Sequence, residues 1–224
     1  MSNQDNIKKG LQDMIEYGTR FRNDLFGIVK YAYEVGDKGL LSVGLCVYTA
    51  MRVQRFCLAD ALVRYEVCKD RAETVGILKQ YGSETYAEID RIGKEHAANC
   101  VANANEPFAE PDLDGADPAT LEKIGEHLKD ALNYGHRYAY SLLEAQEAAA
   151  ELGDMEVIMM TLNVAHVMEQ YVETFRNSLP RYALDLSSEE IELMFPALSN
   201  QDAEKKQDAK SKLAEYIDMY ARSS

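Results

Sequence analysis

The chain repeats itself at a spacing of 117 residues, and this constrains its fold more than any single motif. Laid without a gap on Leu128–Tyr182, the stretch Leu11–Tyr65 is identical at 16 of 55 positions. Among the pairs are Tyr17/Tyr134, Gly18/Gly135, Arg20/Arg137, Gly36/Gly153, Asp37/Asp154, Arg64/Arg181 and Tyr65/Tyr182. That is several-fold more identity than unrelated sequences give, and it points to internal duplication.

Each copy reads as a long helical hairpin. In the first, Ile7, Leu11, Met14, Gly18, Phe21, Leu25, Ile28 and Ala32 recur at three- and four-residue steps, the period of an amphipathic helix. Gly36-Asp37 breaks the pattern with a residue suited to a helix C-terminus and then one suited to an N-cap. Leu40, Gly44, Val47, Met51, Leu58, Leu62 and Tyr65 carry the return. In the second copy Leu128, Leu132, Gly135, Ala139, Leu142 and Ala149 lead to Gly153-Asp154. Val157, Met160, Val164, Met168, Tyr171, Phe175 and Leu179 then come back. Pro180, without an amide donor, should end or kink the last helix. Gly18 and Gly135 lie on the apolar faces of the first helices. Glycine costs a helix interior about 1 kcal/mol relative to alanine, so its presence in both copies predicts a close helix crossing there. Tyr17, Arg20, Tyr134 and Arg137 are placed to flank it.

A weaker echo follows each hairpin, around Glu73–Leu78 and Glu189–Met194, and further helices are expected over roughly Ser83–Ala104 and Asn200–Ala221. Ser187-x-x-Glu190 has the form of a capping box for a short helix. Asp117-Pro118 forms a good helix start, aspartate capping and proline in the first turn. No alternating stretch is long enough for a strand. The expected fold is all-α: internally duplicated hairpins forming a pseudo-twofold antiparallel bundle, with shorter helices packed on it. The organisation is a first repeat over 1–104, an acidic proline-containing linker over 105–118 and a second repeat over 119–224, together one compact unit.

Charge separates the copies. Residues 1–104 hold 14 Lys+Arg and 14 Asp+Glu, whereas residues 105–224 hold 10 and 24, so the net charge of −14 belongs to the second half. Such a surface disfavours nucleic-acid phosphates and suits a basic partner. The polar N-terminus resembles no signal peptide, and the longest uncharged run, Gly39–Met51, is too short for a membrane helix. Cys46, Cys57, Cys68 and Cys100 all fall in the first repeat. The first three are spaced by 11, about 16 Å along one helix, too far for disulfides between neighbours. They are expected to be reduced core residues, consistent with a cytoplasmic protein.

Three chemical constellations compete with a purely structural reading. A duplicated hairpin invites comparison with ferritin-like di-iron bundles, which need inward glutamates and Glu-x-x-His pairs. No Glu-x-x-His exists here. His136, Glu144, Glu147, His166 and Glu169 in the second hairpin are the available ligands, but His166 and Glu169 are rotated by about 200° and 140° from core residue Val164. Glu110 to Asp117 superficially resembles a calcium loop, with Gly115 at the sixth position but Leu121 at the twelfth, where a glutamate is required. Arg91-x4-His96 matches the arginine–histidine spacing of helical RNases of the HEPN type. No phosphate loop or nucleophile elbow is present.

These observations favour a non-enzymatic helical interaction or scaffold protein without catalytic, metal or cofactor residues. Its acidic half would bind a basic protein surface, or the chain would self-associate; direct nucleic-acid or membrane binding is not expected. The alternatives are a metal-binding bundle using the second-hairpin set and an RNase using Arg91 and His96.

Overall fold

In the computed structural model, which describes residues 2–79, 83–103, 111–182 and 187, the chain is all-α and no strand occurs among the described residues. The described residues form six helices in order: α1 (Asn3–Val35), α2 (Lys38–Arg64), α3 (Arg71–Lys79), α4 (Ser83–Ala102), α5 (Pro118–Leu152) and α6 (Met155–Tyr182). None of them is long and apolar enough to cross a membrane.

Local chemistry sets the ends. Ser2 and Asp5 form a capping box at the start of α1, and Asp117 accepts from the Ala119 amide, with Pro118 opening α5. Gly36 (φ 74°) and Gly153 (φ 72°) terminate α1 and α5 in the left-handed region, where a Cβ would be strained. The next residue begins the return. Asp37 Oδ1 accepts the Leu40 amide at 2.9 Å, and Asp154 Oδ1 accepts the Val157 amide at 3.2 Å. Both loops are therefore too short to do anything but fold the helix pairs back on themselves.

The four long helices close a ring: α1 lies beside α2 and α5, and α6 beside α2 and α5. Neighbours are antiparallel. Gly10 faces Ala145, Gly18 faces Tyr138 and Gly27 faces His127 along α1 and α5. Ile7, Leu11, Met14, Phe21, Leu25 and Ile28 meet Ile124, Leu128, Leu132, Tyr138 and Leu142 in a core that continues through Val47, Leu62, Val164 and Phe175. The expected apolar stripes are buried wherever their side chains are described, Tyr65 only partly. Helix α3 packs on α2, and α4 on α1 and α2.

The predicted close crossing is at the middle of α1 and α5. A Cβ on Gly18 would stand 2.8 Å from the Tyr138 ring, and one on Gly135 3.1 Å from the Phe21 ring. Arg20 lies over the Tyr134 ring at 5.2 Å and donates to its hydroxyl at 3.0 Å, while Arg137 lies over Tyr17 at 5.6 Å. At the two ends of α2 and α6, tyrosine hydroxyls reach across to the turn aspartates. Tyr65 donates to Asp154 Oδ2 at 2.7 Å, and Tyr182 donates to Asp37 Oδ2 at 2.5 Å. Arg64 sits 2.9 Å from Asp154 and Arg181 3.5 Å from Asp37. Asp37 is 1% exposed, so its carboxylate is tenable only with this full set of donors.

Two expectations are corrected. Cys46 and Cys57 are exposed, not core residues; only Cys68, beyond the end of α2, is buried. Their shared helical face is real, but it is the outer one. Helix α6 also passes Pro180 and ends two residues later at Tyr182. In the last turn the proline removes a single ladder bond and does not break the helix. The Ser187–Glu190 box and the helices expected beyond it lie outside the described residues, except for Ser187 itself.

The crossing yields a stability test. Gly18→Ala gains about 1 kcal/mol of helix propensity but forces the Tyr138 ring to move, so a net loss of about 1–3 kcal/mol is expected from urea denaturation. Gly76→Ala in α3 meets nothing within 4 Å among the described residues, and should raise stability by about 0.5–1 kcal/mol.

Candidate functional site

A part of the acidic character of the second half is presented on an outer stripe of α5. Tyr140, Glu144, Glu147 and Glu151 follow at steps of four, three and four, which places them on one side of the helix. Glu147 and Glu151 are exposed, as are Tyr140 (49%) and, around the Gly153 turn, Leu152 and Met159 (46% each). Part of the charge is neutralised by the first repeat. Glu144 is half-buried and meets Lys9 at 3.4 Å; Glu156, opening α6, meets Arg64 at 2.6 Å. These exposed pairs contribute little stability individually, about 0–1 kcal/mol each.

The residues considered for a metal centre are not gathered. His136 is half-buried; burial lowers its pKa, with Arg176 acting in the same direction and Glu173 opposing. Glu144 is engaged by Lys9, whereas Glu147 on α5 and His166 on α6 are exposed. The Glu169 side chain lies outside the described residues. Among the described residues no group of three His, Cys, Asp or Glu side chains is placed to hold a metal ion. In the calcium-like stretch the Asp117 carboxylate caps α5 and accepts the Thr120 hydroxyl at 3.2 Å, and Asp112 accepts the Asp114 amide at 3.1 Å. Glu110 is outside the described residues.

Arg91 and His96 share α4 but not a site. Arg91 is on the surface, 2.8 Å from both Glu88 and Glu95, with its guanidinium 5.3 Å from the Tyr33 ring centroid. His96 is 8% exposed and turned to the core side, its Nε2 2.6 Å from Ser42 Oγ and 3.5 Å from Cys100 Sγ. A pair cleaving RNA would have to face one phosphate together, and this pair faces different surroundings.

Two polar clusters were not anticipated. Asp24 of α1 lies 3.2 Å from His127 Nδ1 of α5, and the imidazole stacks on Tyr31 with centroids 5.8 Å apart. Burial raises the Asp24 pKa and nearby Asp130 adds to this, while the hydrogen bond from His127 opposes it. The repeat gives no signal for this pair, because the equivalent residues are Ser141 and Gly10. The second cluster gathers the guanidinium groups of Arg22, Arg52 and Arg55 within 5.8, 5.2 and 5.3 Å of the Tyr86 ring. Its one sequence signal was Arg22 itself, four residues after Gly18 on an otherwise apolar face. Comparison with known protein families, with curated proteins and with solved structures gives no match.

His96 and His136 predict a pH dependence. Burial lowers the pKa of His96 and of His136 below their ordinary value of 6.5, with Lys38 also acting on His96. The unfolded chain then binds more protons than the folded one, so this contribution to stability is present above pH 6.5 and is lost as pH falls towards the folded pKa values. Urea midpoints between about pH 7 and pH 5 should fall less steeply for His96→Gln/His136→Gln than for the wild type. Equal slopes would show that neither imidazole is kept neutral by the fold.

Proposed function

We propose that the chain is an internally duplicated, pseudo-twofold helical bundle acting as a non-enzymatic interaction scaffold, its second hairpin presenting an acidic surface to a basic protein. The duplication is supported by contacts that occur in reciprocal pairs. Gly18 against Tyr138 is matched by Gly135 against Phe21, and Arg20 over Tyr134 by Arg137 over Tyr17. Tyr65 with Asp154 is matched by Tyr182 with Asp37. In each case, moving both partners by 117 positions, one forwards and one backwards, converts one contact into the other. Most of the residues at these joints are among the identities of the repeat, as expected if two equivalent hairpins first met as separate copies and were later joined.

The observation that carries the scaffold reading is the outer stripe of α5. Where the second repeat has Tyr140, Glu147 and Glu151, the first has Asn23, Lys30 and Glu34. The joints are kept, and an exposed face changes in charge and gains an aromatic ring. Clustered carboxylates around Tyr140, Leu152 and Met159 offer a partner both Coulombic attraction and apolar contact. At about 0.15 M salt the Debye length is near 8 Å, so this attraction acts close to contact.

Glu147→Gln/Glu151→Gln tests the proposal while sparing the Lys9–Glu144 and Arg64–Glu156 pairs. In affinity capture the wild type should retain basic proteins at about 0.05 M salt and release them at about 0.5 M, and the variant should retain several-fold less. The same proteins on both forms, at both salts, would reject the acidic stripe as the binding surface. A change in mass with concentration in light scattering, abolished by the variant, would assign the stripe to self-association.

A further inference from the structure

Beside the Gly18 crossing, between α1, α2 and α5 and floored by Leu78 of α3, lies a cavity of about 30 Å³. A buried water needs about 10–15 Å³ of such space, so the cavity has room for two or three water-sized groups. Its wall is mostly apolar, with Met14 and Met51 among the lining residues, and its polar groups are Thr19, Arg22, Gln54 and Arg55. Two of these are charged or amide side chains placed in the interior, since Arg22 and Gln54 are each only 5% exposed.

The Gln54 amide defines what is missing. Its Oε1 accepts the hydroxyl of Tyr138, itself 2% exposed, whereas its Nε2 is buried and has no hydrogen-bond partner among the described residues. A buried donor left unmatched costs about 1–3 kcal/mol, so the site calls for an acceptor. The nearby guanidinium gives that acceptor a preferred charge. Arg22 is held against Tyr86, donating to its hydroxyl at 3.2 Å, and a second cation, Arg55, is fixed by donating to the Leu78 carbonyl at 2.5 Å. The second repeat lacks this set: Arg22, Gln54 and Arg55 correspond to Ala139, Tyr171 and Val172. Tyr138 corresponds to Phe21, so of the two rings at the crossing only the one at this cavity carries a hydroxyl. Polar groups were thus placed, or kept, on one side of an otherwise repeated core.

We propose that this cavity binds a short-chain carboxylate, its oxygens taken by the Gln54 amide and the Arg22 guanidinium and its one- or two-carbon body lying against Met14 and Met51. The interior room suits a short acid, the buried donors disfavour hydrocarbons, and the apolar wall disfavours phosphate, whose acceptors need donors on every side. The site is independent of the acidic stripe, which lies on the outside of α5.

The test uses the full-length protein with sodium acetate and sodium propionate, against sodium chloride at equal ionic strength and against 1-propanol. Saturable calorimetric binding of a carboxylate is expected, with a downfield shift of the Gln54 side-chain amide protons in the wild-type NMR spectrum. Gln54→Met/Tyr138→Phe replaces both hydrogen-bonding partners by apolar groups of similar shape, so no orphan hydroxyl remains. It should keep its helical circular dichroism and bind at least tenfold more weakly. Carboxylate effects no larger than those of chloride would overturn the proposal, and so would saturable binding that leaves the Gln54 amide resonances unmoved or survives in the double variant. The wild-type spectrum decides the matter even if that variant does not fold.

Discussion

The crossing of α1 and α5 is the contact on which the remaining geometry depends. Two glycines let each helix receive an aromatic ring from the other, Tyr138 on Gly18 and Phe21 on Gly135. Each glycine costs about 1 kcal/mol in propensity, but a buried aromatic ring removes about 150–250 Å² from water, which at about 25 cal/mol per Å² outweighs it. Once α1 and α5 are locked antiparallel, tight turns at Gly36 and Gly153 leave α2 and α6 one place to go. The far ends are then joined by Tyr65 to Asp154 and Tyr182 to Asp37. Burial and the adjacent carboxylate push the Tyr65 hydroxyl up to about 12, so it remains a donor throughout the physiological range. The aspartates serve twice, as helix caps and as acceptors for the opposite hairpin.

A frame fixed at these joints leaves the rest of each hairpin free to change. On the first, α3 and α4 are laid over α2 and α1, and three guanidinium groups gather on Tyr86. On the second, the outer stripe of α5 is acidic and carries Tyr140. The cross-repeat pairs Lys9–Glu144 and Arg64–Glu156 connect the two charge regimes. On the proposed reading, duplication would separate two demands that a single hairpin would have to meet at once, holding the bundle and meeting a partner.

Much of the helical architecture was legible because it depends on local rules. The three- and four-residue apolar steps located the stripes of α1, α2, α5 and α6, the Gly-Asp pairs located the turns, and Asp117-Pro118 located the start of α5. Gly18 and Gly135 announced their crossing because glycine is unfavourable there without a close neighbour. Arg64-Tyr65 and Arg181-Tyr182 stood out as retained pairs, but their role did not, since it lies in turns 89 and 145 residues away in the chain for the two tyrosines. Periodicity also says which residues share a face without saying which face is inside. Hence Cys46 and Cys57 were expected in the core and are on the surface. The Asp24–His127 pair and the Arg22–Gln54 cavity arise where the copies differ, so the repeat that revealed the frame was silent about them.

If the two hairpins form one body through their reciprocal joints, neither should open without the other. Native-state hydrogen exchange of the full-length chain, followed by mass spectrometry across a urea series, tests it most directly. The middle turns of α1, α2, α5 and α6 should lose protection together, at one urea concentration and with one free energy of opening. Loss of protection in one hairpin at a urea concentration where the other stays protected would contradict it.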